Sequence, residues 1–288
     1  FSMATTPTTA NPEHIIVRQK TYATVNLYAY AEAYQASFVP PVCNRMVFND
    51  GKLKIMMVGG PNQRKDYHLN LGEEIFFQVK GSMCVKTMEC SEPKDVVIRE
   101  GECFVLPGKI PHSPQRFENT IGIVVERARS DCELDGLRYY VDESNKEILW
   151  QRFFHVTDLG TQLAPLIQSY FSSQAFQSRV PSDGDVPPAP WEPDTTALLP
   201  SPFLLKSRFG EVTDGRPPLR LANREFIMDL VTAESKTPAL PIETEVWLWM
   251  VSDGSSDESP VTTEATLSSS TGDDVAACAE DAAVSLVP

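Results

Sequence analysis

The stretch that decides the fold runs Asp95-Val96-Val97-Ile98-Arg99-Glu100-Gly101-Glu102-Cys103-Phe104-Val105-Leu106-Pro107-Gly108-Lys109-Ile110-Pro111-His112. Two short runs rich in β-branched and apolar residues, Asp95–Ile98 and Cys103–Leu106, are separated by turn chemistry at Glu100-Gly101-Glu102 and closed by Pro107-Gly108. That pattern reads as strand, turn, strand, turn. The same texture extends from Leu53 to Arg129. Leu53–Val58, Glu74–Lys80, Met83–Met88 and Ile121–Arg127 read as further strands, with turns at Gly59-Gly60-Pro61-Asn62, Lys80-Gly81-Ser82 and Ser91-Glu92-Pro93. Many short strands at this spacing predict an all-β sandwich or barrel. Strand and helix do not alternate and no Gly-rich phosphate loop occurs, so a Rossmann-type sheet is disfavoured.

Outside this block the texture changes. Tyr22–Phe38 is rich in Ala, Tyr and Leu and predicts one helix that stops before Pro40-Pro41. Asp158–Ser178 carries Leu159, Leu163, Leu166, Ile167, Tyr170 and Phe171 at helical spacing. That stripe reads as packing, with Pro165 expected in the first turn and the regular part starting near it. Arg179–Pro202 holds seven prolines and reads as a linker or an extended wrap over the surface. Phe203–Val251 resumes a folded texture and ends in the alternating Glu243–Trp249. Ser252–Pro288 is Ser, Thr, Ala and acid, and is expected to be poorly ordered or an atypical end.

Composition sets outer bounds. With 42% hydrophobic and 9% aromatic residues, the 288-residue chain can bury a core. The formal charge of -14 argues against a general nucleic-acid binder. After Lys236 no Lys or Arg occurs while ten acids follow, so the remainder of the chain balances at only -4. Apolar runs reach six residues (Val246–Val251), far below the roughly 20 of a spanning helix, and no membrane is expected. Phe1–Pro12 is polar and Thr-rich, without a signal-peptide core. The six cysteines form no CxxC pair, which predicts buried thiols in a reducing compartment; the cytosol is the expected location.

Four histidines occur. His14 lies in the N-terminal tail, and His155 follows Phe153-Phe154, where a hydrogen-bonded structural histidine is expected. His68 and His112 fall in the strand block. The first lies in Arg64-Lys65-Asp66-Tyr67-His68-Leu69-Asn70-Leu71-Gly72-Glu73-Glu74, the second at the end of the stretch quoted above. The two segments resemble the paired metal-binding motifs of the cupin superfamily, a small jelly-roll barrel. The resemblance implies that the first motif supplies His68 and Glu74 from adjacent strands and the second supplies His112 from a facing strand. Asn70 stands where many cupins carry another His, leaving three ligands. Two imidazoles and one carboxylate with open coordination positions suit non-haem Fe(II), whereas a closed zinc site takes four protein ligands.

Longer motifs narrow the resemblance. Pro40-Pro41-Val42-Cys43-Asn44, Gly59-Gly60-Pro61-Asn62, Arg64–His68, Pro111–Phe117, Val124-Val125-Glu126-Arg127, Leu134–Tyr140 and Asp158–Pro165 are similar to the 3-hydroxyanthranilate 3,4-dioxygenase family, in its animal, two-cupin form. This implies a mainly β fold, a cupin jelly-roll barrel followed by a second, degenerate, metal-free cupin-like domain that the family pattern would count as incomplete. The implied organisation is a mobile tail over 1–20, a catalytic cupin domain over 21–178, a Pro-rich linker over 179–202 and the second domain, with an acidic end, over 203–288. The implied reaction opens the ring of 3-hydroxyanthranilate with O2, giving 2-amino-3-carboxymuconate semialdehyde, in tryptophan catabolism and quinolinate and NAD biosynthesis. Carried over by position, His68, Glu74 and His112 would hold Fe(2+), Glu74 would also count among the substrate-binding residues, and Arg64 and Arg116 would bind the substrate carboxylate. Glu126 would accept from the substrate amine and help move its proton, and Asn44 would lie near substrate and O2. A fused two-barrel chain is expected to be a monomer.

The residues support part of this independently. Arg116 sits four residues past His112, so in a strand the two share a face. Glu126 lies in an apolar run, where an unpaired carboxylate is costly, so a cationic or hydrogen-bonding partner is implied. A Zn- or Mn-dependent cupin isomerase would act without O2 and would not require two carboxylate-binding arginines; a non-catalytic cupin would be expected to lose the triad.

Overall fold

The computed structural model describes residues 25–38, 43–49, 51–212, 216–217 and 219–230. The tail over 1–20, the Glu243–Trp249 alternation and the Ser252–Pro288 end lie outside the described residues. In chain order the elements are α1 (Leu27–Ala33), β1 (Asn44–Phe48), β2 (Leu53–Gly59), β3 (Tyr67–Leu69), β4 (Glu74–Lys80), β5 (Met83–Glu89), β6 (Glu92–Ile98) and β7 (Glu102–Leu106). There follow β8 (His112–Arg116), β9 (Ile121–Arg127), β10 (Asp135–Tyr140), β11 (Ile148–Phe154), α2 (Leu159–Phe171), α3 (Gln174–Ser178), β12 (Phe203–Leu204), β13 (Leu219–Asn223) and β14 (Ile227–Leu230).

The strands form two six-stranded antiparallel sheets, ordered β1-β2-β9-β4-β7-β12 and β11-β10-β3-β8-β5-β6, with β13-β14 as a separate hairpin. Alternation along each strand decides what lies between the sheets. Met56 and Val58 of β2, Phe76 of β4, Phe104 and Leu106 of β7 and Val124 of β9 meet Met83, Val85, Val96 and Ile98 of the other sheet in one buried cluster. The intervening residues Ile55, Met57, Ile75, Ile123 and Val125 face the other way and are covered by Leu27 and Ala31 of α1 and by Phe226. Both faces of this sheet are therefore buried, which is why its strands read as nearly continuous apolar runs. This is the predicted mainly β jelly roll.

Several expectations are corrected. The N-terminal helix is seven residues, Leu27–Ala33, capped by Asn26 and followed by a 3-10 turn, rather than one helix to Phe38. Glu92 and Pro93 belong to β6; the turn is Cys90-Ser91, both at positive φ. Helix α2 starts at Leu159, placing Pro165 in its interior. Gln162 fixes that start by accepting the N–H groups of Thr157 and Asp158 at 2.8 and 2.9 Å. Leu163, Ile167 and Tyr170 then bury against Leu137, Tyr139 and Leu149, a packing that outweighs the one backbone donor that Pro165 lacks.

Residues 179–202 lie along the barrel. Asp185 O accepts from Gln151 N (2.9 Å), Leu134 O accepts from the Trp191 indole (2.9 Å), Lys109 O accepts from Asp194 N (3.0 Å), and Leu199 enters the inter-sheet core. Then β12 pairs with β7, extending the barrel's own sheet.

The thiols divide. Among the described residues Cys43 and Cys103 are buried, Cys84 is half-buried, and Cys90 and Cys132 are exposed, so the expectation of buried thiols holds for only some of them. Burial pushes the Cys103 thiol up to about 12. Labelling the folded protein with a thiol reagent and mapping the peptides should find Cys90 and Cys132 modified at once and Cys103 only after unfolding. Early modification of Cys103 would contradict this packing.

Candidate metal centre and substrate pocket

The two histidines come together through the sheet register. His68 on β3 is directly opposite His112 on the neighbouring β8, and their rings lie 5.2 Å apart, edge to face. Glu74 opens β4 in the other sheet, because Asn70–Glu73 carries the chain across the gap between sheets. This reverses the expected placement: the histidines share a sheet and the carboxylate faces them. Glycine is required where the β7–β8 loop crosses this turn: a Cβ on Gly108 would sit 2.1 Å from Leu71 O, whereas one on Gly72 would meet only the movable end of Glu225 at 3.0 Å. Lys109 N donates to Asn70 O at 2.8 Å, pinning the same turn.

The ligand atoms of His68, Glu74 and His112 all lie within 4.8 Å of one another, and all three residues are buried. Glu74 Oε1 is 3.2 Å from His112 Nε2 and 3.6 Å from His68 Nδ1. The other nitrogen of each ring is committed: His112 Nδ1 donates to Ile110 O at 2.9 Å, and His68 Nε2 lies 2.7 Å from Asp135 Oδ2. Such supports fix the ring and leave the inward nitrogen for a cation. Asn70 is a further support, donating to Glu74 Oε1 at 2.8 Å. The imidazoles, His112 foremost, hold the Glu74 carboxyl well below its usual range despite burial. His68 is pushed up to about 9, because hydrogen bonds to Asp135 and Glu74 outweigh its desolvation. A buried cluster this hospitable to positive charge, with imidazole and carboxylate donors, fits a divalent cation.

All seven residues singled out in the sequence line one cleft of about 450 Å³, measured to its open mouth: Asn44, Arg64, His68, Glu74, His112, Arg116 and Glu126. The rest of the wall is mostly apolar, with Met56, Val58, Phe76, Pro114, Val124 and Leu163. The two arginines differ. Arg64 makes a two-pronged pair with Asp66, and Gln115 braces its backbone from both sides. Asp66 outweighs burial and holds Arg64 above its usual value. Arg116 is 6% exposed, and its Nε has no hydrogen-bond partner. Burial, with Arg64 adding repulsion, pushes it down to about 10. A buried guanidinium at a pocket wall, with its Nε unpaired, is suited to an anion.

Glu126 has the partner its burial demands, which is Arg129. Arg129 also donates to Asp135 at 2.8 and 3.2 Å, so one guanidinium ties Glu126 to the carboxylate that holds His68. Burial and the nearby Glu74 charge still leave the Glu126 carboxyl above its usual value. Sequence reasoning missed Arg129 and Asp135 as parts of the site. Their only signal was Asp135 in the Leu134–Tyr140 motif. His155 is outside the cluster, with Nδ1 3.0 Å from Glu133 O, as a structural histidine would be.

Residues 20–171 match the family described as 3-hydroxyanthranilic acid dioxygenase. The chain is 43% identical over 239 residues to the 3-hydroxyanthranilate 3,4-dioxygenase of Rattus norvegicus, covering 81% of this chain and 82% of that protein. It is 54% identical over 169 residues to the enzyme of that name from Nematostella vectensis, covering 59% and 61%. Among solved structures, a cupin-2 domain containing protein from Shewanella frigidimarina is similar over 33% of this chain and 91% of its own, at 14% identity and a TM-score of 0.28. With the triad in place and a family match covering more than half its length, the chain belongs to the 3-hydroxyanthranilic acid dioxygenase family.

Proposed function

We propose that the protein is a ring-cleaving dioxygenase that converts 3-hydroxyanthranilate and O2 to 2-amino-3-carboxymuconate semialdehyde. In this reading the step belongs to tryptophan breakdown and supplies quinolinate for NAD synthesis. The observation that carries it is the combination of a buried His68–Glu74–His112 triad with the buried Arg116 guanidinium, its Nε unpaired, in the same cleft. His68, Glu74 and His112 would hold Fe(II), which supplies open coordination positions and redox capacity for joining substrate and O2. The chain's own side chains do the rest. Arg116, with Arg64 beside it, binds the substrate carboxylate and so orients the ring. Glu126 accepts from the substrate's amino group; its raised affinity for a proton suits it to take one and return it. Asn44 stands on the same wall, at the start of β1. The apolar residues between them exclude water.

The domain division proposed with this reading keeps catalysis within residues 21–178, with 179–202 as the connection and 203–288 as a degenerate second cupin. We take the protein to be a monomer acting in the cytosol; no helix among the described residues is long and apolar enough to cross a membrane.

The decisive experiment is anaerobic reconstitution with Fe(II), followed by 3-hydroxyanthranilate and O2. The expected result is one O2 consumed per ring-opened product, with no nicotinamide, flavin or external reductant added. A folded, iron-loaded sample that does not turn over would overturn the assignment. Activity without O2, on Zn or Mn, would favour a cupin isomerase instead.

A further inference from the structure

The turn that delivers Glu74 to the metal site is gripped from outside the barrel. Glu73, the residue before that ligand, donates its backbone N–H to Glu225 Oε2 at 2.6 Å. In return, Glu73 Oε2 accepts the backbone N–H groups of Glu225 and Phe226 at 2.9 and 3.1 Å. The two residues are 152 positions apart in sequence, and Glu73 is buried. Glu225's second oxygen pairs with Arg127, which also holds Glu133. Arg127 directly follows Glu126, and its carbonyl accepts from Arg129 at 3.1 Å. Phe226 anchors the assembly by burying in the apolar cluster outside the barrel sheet. Buried Glu73 and the more exposed Glu225 are thus interlocked, each carboxylate accepting from the other residue's backbone, and Arg127 pairs with the Glu225 charge.

We propose that the β13–β14 hairpin is a clamp on the active site and that Glu225 at its turn is a positioning residue. Through Glu73 it fixes the turn that presents Glu74; through Arg127 it fixes the end of β9, which carries Glu126 and leads into Arg129. The opposite side of the turn is held by Gly108 and Lys109, so Glu225 completes a two-sided grip. A segment beyond the catalytic barrel then sets how tightly the metal is held, without touching substrate. This rests on the metal-dependent reading above.

The test uses the full chain loaded with Co(II), with metal release timed after adding excess chelator and the visible d–d absorption recorded beforehand. Loss of an outer support typically weakens metal binding by about 10- to 100-fold, so Glu225→Ala should release metal about tenfold faster and shift the absorption bands. Arg220→Ala, which cuts the hairpin's own Arg220–Asp229 pair away from the barrel, should lower thermal stability while leaving release and spectrum as in the unmodified protein. If Glu225→Ala does not fold, Glu225→Gln carries the test, since one carboxylate oxygen is lost with little change in shape; release roughly threefold faster is expected. Unchanged release and spectrum in a folded Glu225 variant would overturn the clamp. Failure of the unmodified protein to hold metal would overturn the metal reading itself, and the clamp with it.

Discussion

His112→Ala is expected to abolish stable metal binding and, with it, turnover. His112 is 1% exposed on β8, its Nδ1 is fixed by Ile110 O, and its Nε2 is 3.2 Å from Glu74. With three candidate ligands among the described residues, losing one should cost more than the roughly 100-fold that loss of a supporting group costs. The fold should persist, because the substitution removes a polar ring from between β3 and β5 and leaves the apolar inter-sheet cluster intact. Elemental analysis after dialysis, with circular dichroism as the folding control, provides the check. Stoichiometric metal in the folded variant would remove His112 from the ligand set.

Arg116→Met should move stability and function in opposite directions. The guanidinium is buried, its Nε lacks a partner and Arg64 repels it. Its folded-state pKa is lowered to about 10, so folding disfavours its charged form. The sign follows: the cost is present at every pH below about 10 and is relieved only above it. At neutral pH the ligand-free protein therefore carries this cost in full. An apolar side chain of similar volume removes it, so the variant should melt at a higher temperature than the unmodified protein. Substrate affinity should fall by about 3 kcal/mol, roughly 100-fold, because a buried charge-assisted contact to the carboxylate is lost. Metal content should be unchanged. Calorimetry, KM and metal analysis together test this. A variant that binds substrate normally would show that Arg116 is not the carboxylate anchor.

The apolar strands, including those that carry Glu74 and Glu126, were legible in the sequence; the strands that carry His68, His112 and Arg116 were not. Ile121–Arg127 and Glu74–Lys80 were read to the residue because both faces of their sheet are buried. In contrast, β8 reads His112-Ser113-Pro114-Gln115-Arg116, five residues with no apolar alternation and a proline, and β3 is three residues long. Strand β8 is polar because it lines the cleft and β3 is too short to show a period, so the pattern that reveals core strands misses both. Strands β1, β10 and β11 were likewise unread; β10 buries Asp135 and Arg138 within its span. The ligands were found through motif spacing, which kept His68, Glu74 and His112 together although the sheet assignment of Glu74 and His112 was reversed. Arg129, Asp135 and Glu225 left almost no trace, because each acts through a side chain brought near only by folding.

The division of the triad between sheets has a mechanical side. His68 and His112 belong to one sheet, and Glu74 belongs to the other. Elsewhere the layers meet through apolar contact, which is strong but non-directional and tolerates small sliding. At this rim, groups from both layers converge on one point, so an ion bound there would act as a rivet across the seam. At a free metal concentration a hundred times Kd, loading would add about 2.7 kcal/mol to stability. An ion seated there would therefore also fix the spacing of the two sheets beside the cleft.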